Sequence, residues 1–103
     1  MEAPVAGESL NVLLERVSSE ESLLAFVAAL AKDRRDAVVA EKDSPSSPYS
    51  QGAGGWENTS IEDFLEAAAS WAESTNFGLT QGITADNLWK RFAVFLYLGK
   101  IYE

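Results

Sequence analysis

Glu62, Asp63 and Glu66 put three carboxylates within one short stretch, and carboxylates at that density could hold a divalent cation or move a proton. Calcium sites usually take their oxygens from a loop with a sharp glycine turn. Here the spacing is that of a helix face, so the three side chains are expected to be solvated. Acid–base work by paired carboxylates needs surroundings that split their pKa values, and no apolar setting for such a pair is visible. Upstream, Gly52-x-Gly54-Gly55 has the look of a phosphate loop. It lacks a preceding strand and a lysine, and Glu57, Glu62 and Asp63 would repel an anion at the helix start. The chain has no Cys and no His, which removes thiolate chemistry, disulfides and the commonest acid–base catalyst and metal ligand. The expectation is a non-enzymatic protein with no cofactor and no metal. A metal-dependent hydrolase is the remote alternative.

Trp56-Glu57-Asn58 is the remaining place where chemistry of recognition could sit. An indole beside polar groups is the composition favoured at interaction hot spots, so Trp56, Glu57 and Asn58 are the candidate partner-binding residues. The competing expectation is structural. Trp56 would fold back on the helix that follows, at least half buried against Phe64, Leu65 or Phe92, with Glu57 and Asn58 near the surface.

Sixteen acidic residues against eight basic ones give a net charge of −8. That charge keeps a small domain dispersed. It also argues against nucleic acid and against anionic membrane, because counterion-release binding needs the opposite sign. A basic protein surface is the favoured charged partner, and a homo-oligomer is allowed. The apolar run from Ser22 to Ala31 follows Glu20 and Glu21 where a leader would carry cations, and it is far short of the ~20 residues that span a bilayer. The cytoplasm is therefore the expected location. Asn58-Thr59-Ser60 fits a glycosylation sequon, which without a secretory signal is read as chance.

The elements that must position these residues are helical. Residues 1–8 form a flexible tail, and 9–103 form one domain. Leu10, Leu13, Leu14 and Val17 mark a short helix. Ser18 and Glu21 have capping-box spacing and should start a second helix. Its stripe is Leu23, Phe26, Val27 and Leu30, and Leu24, Ala25, Ala28, Ala29 and Ala31 make the other faces apolar, the pattern of a buried central helix. Lys32, Arg34 and Arg35 gather where its last turns should be. Residues 37–40 fit helix or strand equally. A long Ser/Pro/Gly loop, read as mobile, covers about 43–58. Thr59 and Glu62 form another capping box, predicting a helix from Ser60 with Ile61, Phe64, Leu65, Ala68, Trp71 and Ala72 inward. A last helix should start near Thr84, with Leu88, Phe92, Phe95 and Leu96 as its stripe and Trp89, Ala93 and Tyr97 broadening it. Trp71 and Trp89 are both expected in the core. So much apolar surface on a terminal helix means burial in the core or against another chain.

Trp56-Glu-Asn-Thr-Ser-Ile-Glu-Asp-Phe-Leu-Glu-Ala67, then Trp71, then Trp89-Lys-Arg-Phe-Ala-x-Phe-Leu96 and a terminal Ile-Tyr-Glu form an ordered set of motifs. The set resembles a family of small acidic, mostly bacterial proteins known only as a domain of unknown function. The resemblance runs from about residue 20 to 103. It implies a small helical domain in which Trp56, Asn58, Phe64, Leu65, Trp71, Trp89 and Tyr102 are signature positions, and it supplies no activity.

The fold expected is thus all-α, a compact bundle of three to four helices with a long loop. The function expected is protein binding, with an immunity-like or antitoxin-like neutraliser of a basic partner as the alternative.

Overall fold

The computed structural model describes residues 9–45 and 53–102. The expected tail at 1–8 and the middle of the expected loop, 46–52, lie outside the described residues.

Four helices and no strand make up the described chain. Helix α1 spans Leu10–Glu15, and the Ser9 hydroxyl accepts from the Val12 amide at its start. Leu13 faces inward, and Val17, just past the helix end, is fully enclosed. Helix α2 spans Glu20–Asp43. Its capping box lies one residue later than expected. The Ser19 hydroxyl accepts from the Ser22 amide at 3.2 Å, while the Ser22 hydroxyl accepts from the amides of Ser18 and Ser19 at 2.9 and 3.0 Å. One short hydroxyl thus does what the Glu21 carboxylate was expected to do, and Glu21 stays exposed.

Residues 37–40 are helical, so Lys32, Arg34 and Arg35 lie in mid-helix rather than at a helix end. The helix is carried onward because Ala37 is buried against the chain returning at Gly54. Nor is α2 enclosed on all sides: Leu23, Phe26, Leu30 and Ala37 are buried, but Leu24 and Val39 are more than half exposed. The reason is thickness. The molecule measures 42 × 34 × 19 Å, and 19 Å is about two helix diameters, too thin to surround any helix completely.

Helix α3 spans Ile61–Thr75, one residue later than the Thr59 box predicts. The cap is Ser60, whose hydroxyl accepts from the Asp63 amide at 3.1 Å. Thr59 is held differently, its carbonyl accepting from Arg34 at 3.3 Å, which keeps the chain extended for one more residue. The buried face is Ala67, Ala68, Trp71 and Thr75, with Phe64 half-buried. Ile61 and Leu65, expected inside, are exposed at 78% and 55%, because the face that meets α4 runs through Phe64 and Ala68.

Past α3 the chain turns through left-handed backbone at two side-chain-bearing residues, Asn76 (φ 51°) and Phe77 (φ 55°). The Phe77 amide donates to the Ala72 carbonyl at 2.7 Å, and the Thr75 hydroxyl bridges the Trp71 carbonyl and the Gly78 amide. Trp71 is fully buried and its indole N–H donates to Gln81 at 2.8 Å. Helix α4 then spans Leu88–Ile101. It starts later than Thr84 because Thr84–Asn87 closes as a turn and the Asn87 side chain accepts from the Lys90 amide.

Helix α4 holds the fold together. It packs most extensively on α3 and also touches α2 and α1. Phe64 lies against Gly99 and Phe77 against Phe95, so α3 and α4 are antiparallel. Leu23 shares a cavity wall with Phe92 and Asp33 pairs with Lys100, so α2 and α4 run parallel. Ala93 has no exposed surface and, with Phe26, Leu30, Val17 and Trp56, forms the main core.

If Ser60 is the cap, Ser60→Ala should lower stability by about 0.5–2 kcal/mol in chemical denaturation. Thr59→Ala, which keeps the carbonyl that Arg34 uses, should stay within ~0.5 kcal/mol. The reverse order would place the helix start at Thr59.

Candidate functional site

Two regions of α4 present the side chains that could act. The first is its C-terminal end, which receives Trp56-Glu57-Asn58. A glycine turn at Ala53–Gly55, with φ of 71° at Gly54 and 80° at Gly55, swings the chain against α2 and delivers the indole. Trp56 is 4% exposed and stacks on Phe64 with ring centroids 6.2 Å apart. This is the packing role that the competing sequence expectation described.

The polar groups around the indole converge on one carboxylate. Asp33 accepts from the Trp56 indole N–H at 2.9 Å and pairs with the Lys100 ammonium at 2.8 Å. Lys100 is 7% exposed, and its ammonium also lies 5.4 Å from the Trp56 ring centroid. On the ring as well, Arg34 sits at 5.2 Å. A buried ammonium is costly unless paired and hydrogen-bonded, and Asp33 meets that requirement.

Asn58 completes the arrangement. Its side-chain amide donates to the carbonyls of Gly99 at 3.0 Å and Tyr102 at 2.8 Å. The backbone amides of Glu57 and Asn58 both donate to the Lys100 carbonyl. Helix ends leave carbonyls without intrahelical partners, and this segment supplies three donors to them from far along the chain. Gly99 permits the approach: a Cβ there would lie 2.8 Å from the Phe64 ring. Of the three candidate contact residues, Trp56 and Asn58 are therefore engaged in holding α4. Glu57 is half-buried, and its carboxylate has no hydrogen bond among the described residues.

Beside this clamp, a cleft of about 330 Å³ lies between α2 and the start of α3, walled by Val27, Leu30, Phe64 and Leu96 with Arg34 at its edge. Arg34 is already engaged by Trp56 and Thr59.

The second region is the N-terminal half of α4. Leu88, Trp89 and Phe92 are 63%, 43% and 45% exposed. They line a cavity of about 690 Å³ with Leu23 of α2, Phe77, Asp86 and Arg91. Phe92 stacks on Phe95, which stacks on Phe77. Arg91 lies over Phe77 at 5.2 Å and donates to its carbonyl at 3.0 Å, so its charge is tied to the cavity wall. The core position expected for Trp89 is corrected here: at the start of α4 the cavity that Trp89 lines, walled also by Leu23 and Phe77, stays open and leaves the indole 43% exposed. The signal for the patch was the apolar excess of the last helix, which allowed burial against another chain as well as in the core.

Glu62, Asp63 and Glu66 are all exposed on α3. Among the described residues, no three His, Cys, Asp or Glu side chains gather as metal ligands.

The fold and these two regions define a small helical domain whose terminal helix is clamped at one end and open at the other. The chain belongs to the family of unknown function DUF7660, whose model matches residues 19–103. Comparison with curated proteins and with solved structures gives no match.

Asp33 should be the most sensitive charged position in the domain. Asp33→Ala removes both the acceptor for Trp56 and the counter-ion of Lys100, and should cost on the order of 2–4 kcal/mol. Asp36→Ala breaks the exposed pair with Lys32, whose side chains are 70% and 65% exposed, and should cost under ~1 kcal/mol. Equal urea midpoints for the two variants would mean that the clamp does not stabilise the fold.

Proposed function

We propose that this chain is a non-enzymatic protein-binding domain that receives its partner on the N-terminal half of α4. The observation that carries the reading is the exposure of Leu88, Trp89 and Phe92 side by side around one apolar cavity. Contiguous exposed apolar patches rimmed by polar residues mark interaction sites in soluble proteins. Tryptophan is the residue type most enriched at the centres of such sites, and the Trp89 indole N–H makes no hydrogen bond among the described residues. The polar groups at the other end of α4 are engaged in holding that helix, which favours binding over catalysis. The cytoplasm is the proposed setting, on the acidic flank of the 22–31 run; no helix among the described residues is long and apolar enough to cross a membrane.

A neutraliser of a basic partner is the second reading, favoured by the net charge of −8. It uses the same surface.

The test is affinity capture from extracts with the parent chain beside a Leu88→Ser, Phe92→Ser double variant. Both side chains lie at the surface, so the double variant should keep the helical fold by circular dichroism, while loss of the Phe92–Phe95 stack and of the apolar area still buried should cost about 1–2 kcal/mol. The expected result is a companion protein retained in near-equal amount by the parent and absent with the variant. Recovery of the same companions by both baits would remove this surface from the account.

A further inference from the structure

We infer that the cavity at the start of α4 is the seat of one uncharged aromatic side chain of a partner protein, taken up together with its own peptide group. This rests on the protein-binding reading and names the anchor that the partner presents. The walls are aromatic. Phe77, Phe95 and Phe92 form one near-parallel stack, with centroids 5.1 and 6.0 Å apart and planes inclined by 8° and 15°. Phe77 is also covered within the fold by Trp71 and Arg91. Phe92, the outer member, has Phe95 alone as a ring neighbour among the described residues, and Trp89 has none. Both line the cavity and both are exposed. An added ring would extend the stack from Phe92, and a ring pair adds up to roughly tenfold in affinity beyond the area it buries.

The polar groups then set the charge. Asp86 and Arg91 line this one cavity and their charges cancel, so an occupant of either sign would meet one repelling group. They do not pair with each other. Arg91 uses its Nε–H on the Phe77 carbonyl, and its terminal amino groups, like the Asp86 carboxylate, have no hydrogen-bond partner among the described residues. A peptide group supplies what both lack: a carbonyl for the guanidinium and an N–H for the carboxylate. The volume agrees. About 690 Å³ lies within the ~300–1,000 Å³ of ligand cavities, with room for a ring and the backbone that carries it. A protein is the source because Leu88, on the rim, is 63% exposed. Apolar surface thus continues outside the cavity, where a free small molecule would leave it wet. A second copy of the chain fits less well, since its own net charge of −8 would oppose approach.

The experiment reduces the anchor to N-acetyl-phenylalaninamide and follows the indole N–H signals of the parent chain by heteronuclear NMR. The Trp89 signal should shift saturably, in the millimolar range expected of a fragment. Those of Trp56 and Trp71, already bonded to Asp33 and Gln81, should stay in place. The cyclohexyl analogue matches the phenyl probe in size and is more apolar, yet it should bind at least about threefold more weakly. N-acetyl-phenylalanine, with a carboxylate, and phenylalaninamide, with an ammonium, should bind no better than the neutral probe. Phe92→Leu keeps apolar bulk on the helix; it should weaken the phenyl probe at least about threefold while the circular dichroism spectrum is unchanged. A cyclohexyl probe that binds as well would overturn the aromatic anchor, and a charged probe that binds better would overturn its neutrality. Free phenylalanine binding more tightly than the blocked probe would make a small zwitterion the occupant and overturn the inference. Silence of the Trp89 signal with every probe would overturn it too, and protein binding would then stand or fall on the capture experiment alone. A dimer seen by light scattering and lost in Trp89→Ser would put a second copy in the cavity and overturn the inference likewise.

Discussion

The carbonyls at the C-terminal end of α4 need donors, and most of the architecture follows from where those donors come from. They arrive from Glu57 and Asn58, some forty residues earlier in the chain, rather than from a glycine cap. For these amides to reach, Trp56 must seat between α2 and Phe64, and Gly99 must carry no side chain. Seating the indole covers Lys100, so the ammonium needs an acceptor within the fold. Asp33 supplies it from the middle of α2 and takes the indole N–H as well. One short segment therefore ties α2, α3 and α4 together. Among the described residues, no buried side-chain polar atom is left without a hydrogen-bond partner. That completeness matters because a half-satisfied buried network is worse than an apolar one.

Much of this fold could be read from periodicity alone. The helices, the inward Trp71 and the packing of Trp56 onto the first turn of α3 follow from apolar spacing and from the size of an indole. The caps slipped by one residue at Ser19 and Ser60 because adjacent hydroxyls compete, and long-range contacts decide between them: Arg34 takes the Thr59 carbonyl and leaves Ser60 to cap. The pairing of Asp33 with Lys100 joins residues 67 apart, and no local pattern encodes it. Trp71 and Trp89 illustrate the limit best. Both lie on apolar helix faces, and only the count of neighbours on each side of a thin slab separates a core residue from a surface one. The same limit left open which apolar members of α4 would be uncovered: Leu88, Trp89 and Phe92 are, and Ala93 is not.

The two ends of α4 obey different rules, and the difference is informative. At the clamped end, local and tertiary demands agree: carbonyls have donors, the buried cation has its carboxylate, and glycine sits where a ring presses. At the open end they conflict. Phe77 holds a left-handed backbone that costs an L-residue roughly 1–2 kcal/mol. The hydrogen bond from its backbone amide to the Ala72 carbonyl and the ring contacts with Trp71, Phe95 and Arg91 stabilise it there. Its ring then forms one wall of the cavity that Leu88, Trp89 and Phe92 leave open. Strain and exposed apolar area thus coincide at one place, and natural sequences keep such conflicts chiefly where function requires them. A helix fixed rigidly at its far end holds that wall in register, so a partner would meet a surface already shaped rather than one that must first be ordered.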